Sequence, residues 1–151
     1  DSPFDRYESG DSAALSADAR RGLNLFRGKA NCFACHVGPN LSDEFFHNTG
    51  ASLGTSDRGR FAITRNSADI GAFKTPTLRD VALSAPYMHD GRLSTLDAVV
   101  EFYDRGGRPN SHLDREIRPL GLSLVERRDL TEFLRSLTGS VSSHEWPLPM
   151  R

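Results

Sequence analysis

Residues 31–36 read Asn31-Cys32-Phe33-Ala34-Cys35-His36, and these positions decide how the rest of the chain is read. Cys32 and Cys35 are the only cysteines. A Cys-x-x-Cys redox pair belongs in a βαβ, thioredoxin-like setting, and no such pattern surrounds it. A zinc half-site needs two further ligands at short spacing, and there is no second cysteine pair. The histidine directly after the second cysteine points to a third chemistry, because Cys-x-x-Cys-His is the attachment signature of c-type haem. The two thiols bond to the two vinyl-derived carbons on one porphyrin edge. The turn between them swings the next imidazole, His36, beneath the iron as proximal ligand. Such attachment takes place outside the cytoplasm in bacteria, so the expected compartment is the periplasm.

Working outward, the chain before the motif reads as a short helix. Ser16 is an N-cap with Asp18 in the first turn, and Leu15, Ala19, Leu23 and Phe26 form an apolar stripe that ends near Gly28. Residues 1–15 are polar, contain Pro3 and Gly10, and show no periodicity; they read as a linker or extended arm. From His36 to Thr75 the sequence is loop-like, with Gly38-Pro39, Asn48-Thr49-Gly50 and the RGRF run at 58–61. Thr77–Ala82 has room for one or two helical turns, and 84–91, with Pro86 and Asp90-Gly91, reads as a turn-rich loop.

Two further helices follow. Ser94 with Asp97 resembles a capping box opening a helix with Leu96, Val99, Val100 and Tyr103 on one face, ended by Gly106-Gly107. Ser123 with Glu126 is a full capping box for the last helix, whose stripe is Leu130, Phe133, Leu134 and Leu137, with Gly139 beyond its end. The tail 140–151, with Pro147 and Pro149, reads as an extended strap. The expectation is a mainly α, loop-rich, cytochrome c-like domain over 16–139. Its N- and C-terminal helices would pack around one haem, and Gly22 would allow their close approach.

Composition agrees. Of 151 residues, 37% are hydrophobic, and there are 13 glycines and 8 prolines, so a large apolar ligand would complete an undersized core. Balanced charge, 19 basic against 20 acidic residues, rules out a nucleic-acid footprint and a polybasic membrane anchor. No apolar run approaches the roughly 20 residues of a membrane span. The first residue is Asp1 rather than Met, which reads as the trace of a removed leader or upstream domain.

Several stretches carry a resemblance: SPFDRY at 2–7, LSADARRGLNLFRGKANCFACHVGPNLSDEFFHNTG at 15–50, FKTPTLRDVALSAPYMHDG at 73–91, TLDAVVEFYDRGG at 95–107 and LSLVERRDLTEFLRSLTG at 122–139. In order and spacing they resemble the C-terminal haem domain of bacterial di-haem cytochrome c peroxidases and the related MauG proteins. In that family such a domain follows an N-terminal domain with its own Cys-x-x-Cys-His. Here no second motif is present, which leaves a missing upstream half or a single-haem relative.

Two side chains compete for the second axial position. Met88, in a loop downstream of the motif, is a soft thioether that would raise the potential. Tyr103 would supply a hard phenolate that lowers it. Each could equally be a packing residue. The resemblance leans toward Tyr103, because MauG carries a tyrosine ligand at the corresponding place, 15 positions after Met88. Arg79 and Lys74 flank the loop expected near the haem edge and are candidate propionate partners. His89 is a candidate pocket residue, whereas His47, His112 and His144 read as surface or loop histidines and Trp146 as a packing anchor in the tail.

The resemblance also implies a calcium ion shared with the missing domain, through backbone carbonyls that match Ser84 and Pro86. It places Ala30 where MauG has a tryptophan used in long-range substrate oxidation, so that route is not expected here. The function it implies is electron transfer, to or from a peroxide-reactive haem on an upstream haem domain or partner haem protein, with a small redox donor protein as further partner. A free-standing monohaem electron carrier, or a haem subunit of a larger complex with 1–15 and 140–151 as docking straps, is the alternative.

Overall fold

The computed structural model describes residues 1–52, 54 and 56–140. Its centre is a crossing of two helices, α2 (Ala17–Arg27) and α5 (Leu124–Arg135). Both start where the sequence supplies a cap. The Ser16 side chain accepts from the Ala19 amide, and Ser123 and Glu126 complete a reciprocal capping box. The helices bury Ala19, Leu23 and Phe26 against Leu130, Phe133 and Leu134. Gly22 lies at the crossing point: a Cβ there would sit 2.0 Å from the Asp129 carbonyl oxygen and 2.7 Å from Phe133 Cβ. Only glycine allows the backbones this close. Beside the contact, Arg21 grips the buried Asp129 carboxylate with two N–H donors, at 2.7 and 2.8 Å. This fork adds orientation to a contact that packing alone would leave free to slide.

The segment read as an extended arm is corrected by the structure. Ser2, Pro3 and Asp5 build a capped helix, α1 (Pro3–Glu8), with a full Ser2–Asp5 capping box. Phe4 is buried edge-on against Phe133, with ring centroids 5.5 Å apart, and its amide donates to the Ser136 carbonyl at 3.1 Å. Six residues presenting one core side chain carry no readable periodicity, so the helix is invisible to pattern reasoning. Its stability comes from the cap and from Phe4.

Between the crossing helices the chain is largely irregular. A two-residue antiparallel pair joins β1 (Phe46–His47) to β2 (Phe73–Lys74), with Phe46 opposite Lys74 and His47 opposite Phe73. One short helix, α3 (Phe61–Thr64), lies between them. The turns expected over Thr77–Ala82 reduce to a single 3-10 turn, Val81–Leu83. Helix α4 (Leu96–Asp104) packs on α5 and is capped by Thr95, one residue later than the Ser94 expected from the Ser94–Asp97 spacing. The Thr95 hydroxyl accepts from Ala98 N at 3.1 Å, so Asp97 lies in the first turn instead of closing a box. Gly106 and Gly107, both at positive φ, carry the chain away from α4. The domain is thus mainly helical with little sheet. Trp146, His144 and the prolines of the tail lie outside the described residues.

Candidate functional site

The C-terminal end of α2, the Cys32–His36 turn, the loop 75–89, α4, α5 and the segment 116–120 enclose a cavity of about 410 Å³. Its wall is largely apolar, with Phe26, Leu78, Leu96, Val100, Leu130 and Leu134 on it. Its volume lies within the range of about 300–1,000 Å³ usual for cofactor sites. Cys32, Cys35, His36, Met88 and Tyr103 all face it. Residues from three separate parts of the chain that the sequence assigned to one site therefore meet in one place.

Both cysteines sit on a 3-10 turn, Cys32–Ala34, entered through Asn31 in the left-handed conformation. They form no disulfide. Burial pushes the Cys32 thiol up to about 12. Burial, with the Asp43, Asp114 and Glu116 carboxylates, pushes Cys35 up to about 11. Both are neutral thiols at physiological pH, which is the wrong state for a thiolate nucleophile or a zinc ligand. A thioether is neutral too, so covalent attachment to a porphyrin leaves no buried charge at either position.

His36 is prepared differently. Its Nδ1 lies 2.9 Å from the Leu41 carbonyl, where the ring N–H donates, and this fixes the tautomer that leaves Nε2 with a free lone pair. Burial holds its pKa below the ordinary value of 6.5, against the opposing pull of the Leu41 carbonyl and Asp43. A neutral imidazole with one nitrogen tethered is the form a metal ligand requires. Tyr103, on α4, has its phenol pushed up to about 12, by burial first and by the neighbouring Cys32 and Cys35 sulfurs, against a hydrogen bond with Thr49. Met88 faces the same cavity from the loop that follows the cis Ala85–Pro86 bond, and has a positive φ of 68°. The donor set fits a haem: two thiols for attachment, one prepared imidazole, and a phenol and a thioether for the second axial side.

The remaining sequence candidates divide. Lys74, on β2, lines the cavity and is ion-paired with Glu44. His89 lines it too, its ring stacked on Phe73 at 3.7 Å. Ser84 and Pro86 stand in the wall. Arg79 does not reach the cavity. Its Nη1 donates to Asp5 at 2.5 Å and its Nε to the Pro39 carbonyl at 2.8 Å, in a surface cleft with Ser2 and Asp80. The helix α1 that sequence reading missed is what draws this guanidinium away.

His47, read as a surface or loop histidine, is instead part of the cavity wall. Its Nδ1 lies 2.6 Å from Asp114 and its Nε2 2.8 Å from Asp43. Burial works against its charge, but the two carboxylates outweigh it and raise the pKa above 6.5. Asp43 in turn donates its amide N–H to the Cys35 carbonyl at 2.8 Å, so this ion-paired unit braces the attachment turn. Cys35, Asp43 and His47 are close enough together to suggest a metal centre. With a protonated thiol and both imidazole nitrogens turned to carboxylates, they form an ion-pair network. Asp43 at i−4 was the only local signal for it, and Asp114 lies 67 positions away.

Comparison with known proteins agrees with this geometry. No family model matches the chain. Over 138 residues it is 46% identical to the methylamine utilization protein MauG of Methylorubrum extorquens, covering 91% of this chain and 39% of that protein. It is 41% identical over 166 residues to cytochrome-c peroxidase IdrP1 of Denitromonas iodatirespirans, covering 90% of this chain and 44% of the relative. Among solved structures, a MauG-like protein associated with microbial copper homeostasis superposes with a TM-score of 0.82 at 35% identity, over 91% of this chain and 51% of that one. The chain spans about 40% of the length of the curated relatives it matches. Over about nine-tenths of its length, in sequence and in fold, the chain is homologous to a part of the MauG proteins and cytochrome c peroxidases, and corresponds to one domain of those longer proteins.

Proposed function

We propose that the cavity holds one haem c, joined by thioether bonds from Cys32 and Cys35, with His36 Nε2 on the iron and Tyr103 as the second axial ligand. The observation that carries this reading is His36: neutral, tethered at Nδ1 and placed one residue after the attachment turn, in a cavity that also holds a phenol and a thioether. When bound, the haem supplies one-electron uptake and release. The chain's own residues do the rest. Helices α2 and α5 hold the apolar wall, the Leu41 carbonyl orients His36, and Tyr103 would offer its phenol oxygen to the iron from α4. A phenolate stabilises the oxidised metal and lowers the potential.

If His36 and Tyr103 both held the iron, they would leave no position for peroxide at this haem. Its role is then electron transfer within a di-haem oxidoreductase, to or from a peroxide-reactive haem on an upstream domain or partner protein, with a small redox donor protein as further partner. The carbonyls of Ser84 and Pro86 would contribute to a calcium site completed by that domain. Covalent haem attachment of this type supports a bacterial periplasmic location. Among the described residues no helix is long and apolar enough to cross a membrane.

A second reading is favoured by one observation. Met88 faces the same cavity, and Met ligation would suit a high-potential monohaem electron carrier. The optical spectrum of the oxidised protein separates the two, since an iron–methionine bond gives a weak far-red band that Tyr103 ligation lacks. Peroxide added to the haem-loaded chain tests the division of labour: slow or no turnover is expected, and rapid turnover would overturn it.

A further inference from the structure

Resting on the haem reading of the cavity, we propose that Arg118 binds a haem propionate, the role the sequence suggested for Arg79. The argument is one of charge compensation around the wall. Lys74 is matched by Glu44. His47 is matched by Asp43 and Asp114, and His89 has Asp57 at 3.8 Å. Glu116, the wall's carboxylate, accepts from the Asn31 side chain at 2.9 Å and faces Arg115 at 3.6 Å. Arg118 lines the same cavity, and among the described residues no carboxylate pairs with it.

The position is also fixed on both sides. Ile117 N donates to the Asp114 carbonyl at 3.0 Å, Pro119 pairs with Arg105 in an isolated bridge, and Leu120 N donates to the Asp104 carbonyl at 3.0 Å. The backbone that carries the guanidinium is therefore anchored to the end of α4, the helix that carries Tyr103. A haem brings two carboxylates to the edge of an otherwise apolar cavity, where an unpaired anion is costly. A planar guanidinium, weakly hydrated and able to present two parallel N–H donors, is the side chain suited to meet one at a rim.

The test uses the haem-loaded chain of residues 1–151 and reads the midpoint potential by spectroelectrochemical titration. Arg118→Gln removes a positive charge beside the propionate and stabilises the oxidised form. The ferrous-to-ferric ratio at fixed applied potential should fall about tenfold, equal to a downward shift of about 59 mV for one electron. Arg118→Lys keeps the charge without the fork and should shift less. Arg128→Gln, an exposed arginine away from the cavity, controls for net charge and should leave the potential in place. Should Arg118→Gln fail to fold, Arg118→Lys against Arg128→Gln decides alone: a downward shift for the first only supports the pairing. An Arg118→Gln potential equal to the parent's, an Arg118→Lys potential equal to the parent's when Arg118→Gln does not fold, or an equal shift in Arg128→Gln, overturns it. A parent protein without covalent haem would overturn the cavity assignment instead, so the two failures are distinct.

Discussion

Substituting Gly22 by alanine tests the helix crossing that supplies Phe26, Leu130 and Leu134 to the cavity wall. The added Cβ would meet the Asp129 carbonyl oxygen at 2.0 Å and Phe133 Cβ at 2.7 Å. The first contact is backbone in the middle of α5, so no side-chain rotation relieves it and the two helices must move apart. Overpacking of a close-packed core costs about 1–3 kcal/mol, and a clash with fixed backbone belongs at the upper end. Alanine returns about 1 kcal/mol of helix propensity relative to glycine. The net is a loss of about 2 kcal/mol, which for a domain of this length lowers Tm by about 4–8 °C. Separation of α2 from α5 would also stretch the Arg21–Asp129 fork. Thermal unfolding of haem-loaded parent and Gly22→Ala, followed by far-UV circular dichroism, measures the effect. A variant as stable as the parent would refute the close crossing.

Two further outcomes follow from the same geometry. His47 has a raised folded pKa, so the stability it contributes is fully present below 6.5 and is lost as pH climbs through that raised value. Asp43 and Asp114 have lowered folded pKa values despite burial, because His47 bonds to both. Their contribution is present above 3.8 and is lost as pH falls through the depressed values. Stability should therefore peak between these limits, and His47→Gln should flatten both flanks in a pH series of Tm; an unchanged profile counts against the triad. Ser2→Ala removes the cap of α1 and should cost about 1 kcal/mol, read as a lower denaturation midpoint at unchanged slope. No change there would mean that α1 does not contribute to the folded core.

The parts of the molecule legible in the sequence are those whose cause is local. The Cys32–His36 turn, the Ser16 cap, the Ser123–Glu126 box and the glycine at the crossing each announce themselves within a few residues. Tyr103 and Met88 were both named, and both face the cavity. What could not be read is what non-local contacts decide. Phe4 makes a helix of a polar segment because Phe133 is there to receive it. That helix brings Asp5 to Arg79, and so removes from the cavity the arginine the sequence had placed there. Thr95 takes the cap from Ser94, a shift of one position that packing against α5 can impose. His47 looked unremarkable because Asp114, far along the chain, supplies half of its environment.

The most direct measurement is the fate of the pigment. Protein produced in a host that matures c-type cytochromes is extracted with acidified acetone, and the remaining polypeptide is weighed by intact mass spectrometry. The account expects colour to stay with the polypeptide and its mass to exceed that of the sequence by one haem, with both lost when Cys32 and Cys35 are changed to serine. A colourless protein, or pigment that passes into the acetone while the polypeptide keeps its bare mass, would contradict it.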